Sequence, residues 1–302
     1  MQTLTEIRQL LIKAGIRPRR RLGQNFLIDR NLMAKLVELA QPEGQFVVEV
    51  GAATGSLTEE LLPLANVVLA VEMDPALAGI LRRRLGGRDG LTVLECDFLA
   101  SKRAISPAVA KALPSGGVHV VSNLPYAVAV PVITNCLLAS WLAVKQPAPA
   151  ARFERLTFTV QRELAKRLTA PAGTSAYGPA AVIVALLAKA SEGRAVPPQA
   201  FWPRPKVTSQ MLRLDFDATG ASQLDDADAL SAVLSATFRH RRKKTATASR
   251  KRGFPFPGDV FVAAAVEAGV DPASRPHQIP PGQFRAIANV LSKRHPRSNL
   301  VQ

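Results

Sequence analysis

Phe46-Val47-Val48-Glu49-Val50-Gly51-Ala52-Ala53-Thr54-Gly55-Ser56-Leu57-Thr58 begins as a largely apolar, β-branched run and breaks into a turn of small residues that opens a helix. Such a run reads as a strand buried on both faces. Its glycines let backbone groups approach a ligand at the helix N-terminus, as in nucleotide-type binding units. A Gly-x-x-x-Gly turn is weak evidence alone, so its neighbours have to decide. The next strand, Val67-Val68-Leu69-Ala70-Val71, ends in Glu72. That is about 20 residues beyond Gly51, the distance from which an acidic residue grips ribose hydroxyls. A third strand, Leu91 to Glu95, runs into Cys96-Asp97-Phe98, and a fourth, Val118-His119-Val120-Val121-Ser122, delivers Asn123-Leu124-Pro125-Tyr126. Polar residues therefore recur at successive strand ends, where open α/β sheets bind ligands.

What is missing narrows the ligand. No Gly-Lys-Thr/Ser follows the turn, and Ala53 stands where a dinucleotide fingerprint needs glycine against pyrophosphate. A cofactor with ribose and adenine but no phosphate fits better, and S-adenosylmethionine is the obvious one. Taken alone, Asn123-Leu124-Pro125-Tyr126 reads first as a plain strand-to-loop turn, since Asn and Pro form turns anyway. Beside Gly51, Glu72 and Asp97 it acquires a chemistry: methylation of an exocyclic amino group on a nucleobase. That nitrogen is a poor nucleophile because its lone pair is delocalised into the ring. The Asn123 side-chain oxygen and the Leu124 and Pro125 carbonyls can accept its hydrogens and hold it pyramidal. Tyr126 would stack on a base taken out of its helix. Cys96 reads as a small buried hydrophobe, because no adjacent base activates it.

At 302 residues, with 47% hydrophobic residues, the chain suggests about two domains with a full core. Lys+Arg 39 against Asp+Glu 23 gives a net charge of +16. This excess favours a polyanionic partner, nucleic acid first and an anionic membrane second. The uncharged stretch from Tyr126 to Val144 is interrupted by Pro131, Thr134, Asn135 and Ser140, so no membrane span is expected. The first residues carry Glu6 and show no signal-peptide pattern. Two cysteines and four scattered histidines support neither disulfides nor a metal site, and point to the reducing cytoplasm.

Residues 3–15 read as a helix, followed by the basic arm Arg17-Pro18-Arg19-Arg20-Arg21. Lys145 to Ala150 is a loop, and residues 154–161 form a strand that passes into a helix over Arg162 to Leu168. An apolar helix follows from Pro179 to Ala190. Val196 to Val207 is stiff and proline-rich, either a rigid connection or an aromatic wall with a cationic rim for a single-stranded base. A strand from Val207 to Phe216 closes the first domain, and Asp217 to Asp228 reads as an acidic linker. Beyond it a small basic helical domain carries Arg239-His240-Arg241-Arg242-Lys243-Lys244, suited to gripping an RNA backbone. The division is 1–217 and 218–302.

With these residues in view, the chain resembles the KsgA-type small-subunit ribosomal RNA adenine dimethyltransferases. The resemblance is carried by Arg21-Leu22-Gly23-Gln24-Asn25-Phe26-Leu27, Val48-Glu49-Val50-Gly51 with Gly55-Ser56-Leu57-Thr58, Asn123-Leu124-Pro125-Tyr126, Ala176-Tyr177-Gly178, Phe201 with Pro203 and Pro205-Lys206-Val207, Phe238 with Arg241-Arg242-Lys243, and Gly269-Val270-Asp271-Pro272. It implies a Rossmann-like methyltransferase domain, with a mostly parallel seven-stranded sheet, and a small all-helical C-terminal domain. It implies methyl transfer from S-adenosylmethionine to N6 of two adjacent adenosines in a hairpin near the 3′ end of small-subunit rRNA. The partner would be an immature small subunit, and the working form a monomer without metal.

By position, the resemblance implies Gln24, Asn25 and Leu27 on the cofactor, with Asn25 and Leu27 at its methionine end and Gly51 beneath. Glu72 would hold the ribose, Asp97 the cofactor adenine, and Asn123 would stand between cofactor and target nitrogen. Tyr126 and Phe201 would sandwich the flipped adenine. Arg19, Arg20, Arg21, Arg241, Arg242 and Lys243 would meet RNA. The chain departs from the family at Gly51-Ala52-Ala53, where Gly-Pro-Gly or a similar turn is usual, and after Lys243. Two alternatives stand beside this expectation: an Erm-type enzyme of large-subunit rRNA, against which Arg241-Arg242-Lys243 argues, and a non-catalytic RNA-binding assembly or transcription factor of the same fold.

Overall fold

The computed structural model describes residues 1–19, 23–146, 148 and 150–294. Its main sheet has seven strands: β1 (Phe46–Val50), β2 (Val67–Glu72), β3 (Leu91–Glu95), β4 (Gly116–Asn123), β5 (Ala151–Gln161), β6 (Ala188–Val196) and β7 (Ser209–Phe216). They lie in the order β3-β2-β1-β4-β5-β7-β6. Neighbours from β3 across to β5 run parallel, whereas β7 runs antiparallel to β5. Between β1 and β4 the order of winding reverses, and the carboxyl ends of these two strands carry Gly51 and Asn123. This is the switch point at which a doubly wound sheet opens a crevice.

The sequence explains where each strand lies. Val47, Val48 and Val50 of β1 and Val68 to Val71 of β2 are buried, as central parallel strands covered on both faces must be. The outer strand β6, Ala188-Lys189-Ala190-Ser191-Glu192-Gly193-Arg194-Ala195-Val196, is largely exposed and polar. Charged residues on such a strand keep its edge from pairing with another chain. The helix expected to reach Ala190 therefore stops at Leu187, and β6 takes its last residues.

Helices α1 (Leu4–Lys13), α2 (Arg30–Ala40), α3 (Ser56–Leu61), α4 (Pro75–Leu85), α5 (Pro107–Ala112) and α6 (Ala129–Lys145) accompany the sheet. Met33, Leu36, Val37 and Ala40 of α2 pack with Val47, Val68, Val121 and Met211 of the sheet. Ile7 and Leu11 of α1 pack with Leu77 and Ile80 of α4 and with Phe26. Phe26–Leu27 and Phe201–Trp202 form a two-stranded antiparallel ribbon. Among the described residues no helix is long and apolar enough to cross a membrane.

The chain divides into two compact units. One comprises Met1–Ala165 and Ala190–Phe216; the other comprises Lys166–Lys189 and the described residues from Asp217 onward. The structure thus draws the division differently from 1–217 and 218–302. Helix α7 (Arg162–Leu168) crosses the boundary, and α8 (Pro179–Leu187) lies wholly in the second unit. Six of the nine α8 residues are buried, and a helix apolar on all sides needs cover all round.

The rest of the second unit is α9 (Ala218–Ser222), α10 (Ala227–Arg239), α11 (Thr245–Ser249), α12 (Gly258–Glu267) and α13 (Pro281–Arg294). Tyr177 anchors this unit, donating its hydroxyl to the Ile279 carbonyl at 2.9 Å and meeting Phe238 edge-on. The acidic stretch from Asp217 to Asp228 is not a linker. Asp217 and Asp226 are the N-caps of α9 and α10, each accepting two backbone N–H groups.

Candidate active site

A cavity of about 220 Å³ opens at the carboxyl ends of β1, β2, β3 and β4. Its floor is the turn after β1. Gly51 has φ 77°, and the Gly51 and Ala52 N–H groups both reach the Val71 carbonyl. Gly55, at φ 85°, precedes α3; a Cβ there would stand 2.5 Å from Leu81 Cδ1, so the turn can press against α4 only with glycine. Ala53 adopts φ 53°, the left-handed region, where an ordinary side chain is strained.

Glu72 closes the turn. It is 5% exposed; its Oε2 accepts the Ala53 N–H and its Oε1 the Asp74 N–H, each at 2.8 Å. Burial raises the carboxyl above its ordinary range, against the lowering effect of these two bonds. A carboxylate oxygen held by one N–H keeps a lone pair, so the pair can still receive vicinal hydroxyls.

The basic arm is pinned beside it. Arg19 donates its backbone N–H to Gln24 Oε1 at 2.7 Å, Gln24 Nε2 donates to Asp74 Oδ2 at 3.3 Å, and the Arg19 guanidinium lies 3.5 Å from the same carboxylate. Gln24, Asn25 and Leu27 all line the cavity, as do Gly51, Glu72, Asp97 and Asn123. Every expected cofactor residue is thus brought to one place. Asp97 is exposed, and its Oδ1 accepts the Leu99 N–H at 2.9 Å. Cys96 stands on the same wall, with its thiol raised by burial.

Asn123 donates its side-chain N–H to the Asn25 carbonyl at 2.7 Å, which fixes the amide plane and leaves the oxygen to accept. Of the tetrad, Asn123 and Pro125 line the cavity; Leu124 is buried, and the Pro125 carbonyl already receives the Val128 N–H at 3.1 Å. Tyr126 is half-buried beside the cavity and shares a 2.7 Å hydrogen bond with Ser209 Oγ. Burial raises its phenol, so it stays neutral.

Phe201 is a departure. It is 2% exposed and belongs to the core with Leu27, Met33, Val196 and Met211 rather than to the cavity wall. The ribbon explains why. Phe201 pairs with Leu27 and Trp202 with Phe26, so alternation sends Phe201 inward and leaves Trp202 half-buried under Arg8, 5.2 Å from its ring.

Glu49 was not anticipated. This 3% exposed acid lines the cavity, accepts the Thr58 hydroxyl at 2.5 Å, and is pushed up to about 8 by burial. Its signal was available, because a charged residue inside a buried apolar strand requires a reason.

Among the described residues, the cavity wall includes Glu49, Glu72 and Asp97 but no Lys, Arg or His. In a chain of net charge +16 that composition is selective. It offers phosphate no cationic partner, and its carboxyls can accept from a ligand that carries hydroxyl and amino groups. Among the described residues no group of three or more His, Cys, Asp or Glu could hold a metal ion.

Of the expected RNA contacts, Arg20 and Arg21 lie outside the described residues, as does Leu22 of the arm motif. Arg241 donates to the Thr174 and Ser175 carbonyls at 3.2 and 2.6 Å, which makes it a brace within the second unit. Arg242 and Lys243 are exposed.

A model of the family described as ribosomal RNA adenine dimethylase matches residues 15–293. The chain belongs to the ribosomal RNA adenine dimethylase family. Relatives of this dimethylase named ribosomal RNA small subunit methyltransferase A include one from Phenylobacterium zucineum, 36% identical over 96% of this chain and 93% of its own length. Another, from Deinococcus radiodurans, is 35% identical over 94% of this chain and 89% of its own. The dimethylase fold is similar to that of a solved dimethyladenosine transferase from Plasmodium falciparum, with TM-score 0.68, 21% identity and coverage of 89% and 98%. It is also similar to the 23S rRNA methyltransferase ErmE, with TM-score 0.59, 25% identity and coverage of 88% and 99%.

Proposed function

We propose that this chain transfers methyl groups from S-adenosylmethionine to N6 of two adjacent adenosines in a hairpin near the 3′ end of small-subunit rRNA, giving N6,N6-dimethyladenosine during ribosome biogenesis. The single observation that carries this is the tethered Asn123 amide at the mouth of a cavity that holds no cation among the described residues, in a strongly basic dimethylase. The cofactor, when bound, supplies an electrophilic methyl on a sulfonium centre.

The chain's own residues do the rest. Glu72 receives the ribose hydroxyls, Asp97 the adenine amine, and the wall of Gln24, Asn25, Leu27 and Gly51 takes the methionine end. Glu49 contributes a carboxyl to that wall. Asn123 Oδ1 and the Leu124 carbonyl accept the two hydrogens of the target amine, which localises its lone pair toward the methyl. No strong base is required, because the product amine sheds its proton to water once the methyl is attached. Tyr126 stacks on the flipped base, and Phe201 supports the ribbon that carries Leu27. Arg19, Arg242 and Lys243 meet the RNA backbone, with Arg20 and Arg21 in the same arm. The enzyme works in the cytoplasm, as a monomer, on the immature small subunit.

Incubation with labelled S-adenosylmethionine and unmethylated small subunits tests this. Label in adenosine is expected, and background incorporation overturns the proposal. Naked large-subunit rRNA assayed in parallel separates an Erm-type activity, and mass spectrometry of the modified fragment counts the methyl groups.

A further inference from the structure

A second cavity, of about 540 Å³, lies between α1 and α4 and is separate from the methyl-transfer site. Its walls come from Leu10, Lys13 and Ala14 on one side and from Pro75 to Arg84 of α4 on the other. Lys13, Arg83 and Arg84 face it, and among the described residues no carboxylate lines it. Arg84 is committed to the Thr54 carbonyl and Glu59. Lys13 and Arg83 are exposed. Two cations above apolar walls make a groove whose field favours an anion.

The floor of the groove adds an independent observation. Gly79 sits in the interior of the eleven-residue α4, where glycine costs about 1 kcal/mol relative to alanine. A Cβ at this position would meet only Arg83 Nη1, at 3.4 Å. The missing side chain therefore keeps open the space beside that guanidinium. The arm follows this groove in sequence, since Gly15, Ile16 and Arg17 come directly after Ala14, and Arg19 is held at the α4 N-cap by Asp74.

We propose that this groove binds consecutive phosphates of the substrate rRNA away from the target nucleotide, through Lys13 and Arg83. The inference rests on the rRNA reading above. It extends the RNA contact from the arm along α4, onto a face that takes no part in chemistry.

The test compares wild type, the Lys13→Gln/Arg83→Gln double variant and Gly79→Gln, which fills the groove, keeps both charges and improves helix propensity. Each is titrated with a small-subunit rRNA fragment across a salt series and, separately, with S-adenosylhomocysteine. The double variant should bind rRNA about tenfold more weakly at low salt, with a log–log salt slope shallower by about 1.5, and with unchanged cofactor-analogue affinity. Gly79→Gln should weaken rRNA binding in the same direction. Unchanged affinity and slope in both variants, with normal wild-type binding, overturn the groove alone. A defect confined to intact subunits, absent on naked rRNA, means that the groove meets a ribosomal protein and also overturns it. A wild type that neither binds nor methylates rRNA overturns the function and the groove with it.

Discussion

Glu72 Oε2 accepts the backbone N–H of Ala53 at 2.8 Å, so the acid at the end of one strand holds the turn at the end of its neighbour. The partner oxygen holds Asp74, which in turn receives the arm through Gln24 and Arg19. One carboxylate thus organises turn, cavity wall and arm together. Glu72→Gln places an amide NH2 against one of two N–H donors. S-adenosylhomocysteine affinity should fall roughly 10- to 100-fold, the worth of a charged hydrogen bond. Calorimetric titration measures it, and wild-type affinity would remove Glu72 from the cofactor wall.

Ala53 bears the opposite expectation. At φ 53° its Cβ is strained, and glycine has no such penalty. Ala53→Gly should stabilise the fold by about 0.5–1 kcal/mol after the entropy of the unfolded chain is counted. A urea titration showing destabilisation would contradict it.

Asn123→Ala removes the acceptor and its tether to Asn25 together. Methyl transfer should be abolished while rRNA affinity stays within about twofold, because backbone contacts dominate that affinity. Turnover at the wild-type rate would sink the amine-acceptor mechanism.

Ser209 is fully buried and bonds the Tyr126 hydroxyl at 2.7 Å, which orients the ring. Tyr126→Phe and Ser209→Ala should each lower kcat about three- to tenfold, the worth of one hydrogen bond, and leave cofactor affinity alone. The double variant should be no worse than either single one, as expected for residues acting as a unit. Additive losses would show that Ser209 acts elsewhere.

Glu49 sets a pH dependence. Its folded value, about 8, lies above the unfolded 4.5, so the fold holds a proton that the unfolded chain releases. Its contribution is fully present below pH 4.5 and is lost as pH rises through 8. Glu49→Gln, which is always neutral, should therefore gain stability relative to wild type between pH 5 and 8. Denaturant midpoints across that range decide it, and a difference that does not vary with pH would mean that Glu49 is ionised in the fold.

Much of this architecture was legible because central parallel strands announce themselves. β1, β2 and β4 are predominantly apolar runs, and each ends in a residue of the cavity or its turn. The edge strand β6 was not legible. Its Lys189, Glu192 and Arg194 carry the composition of an exposed helix end, and only the position at the sheet margin makes them a strand. Asp217 and Asp226 looked like linker residues because capping and loop-forming aspartates are compositionally identical. Phe201 shows the same limit at the site. A motif fixes which residue is present, whereas pairing with Leu27 fixes which way its ring faces.

The insertion of β7 between β5 and β6 has a consequence for the order in which the enzyme matures on the ribosome that makes it. Gly51, Glu72, Asp97 and Asn123 have all emerged before Ser209 is translated. The proposed donor side is therefore complete in sequence while the Tyr126 ring still lacks its anchor. Nascent chains of this protein thus carry every one of these donor-side residues before they carry the serine that orients the Tyr126 ring.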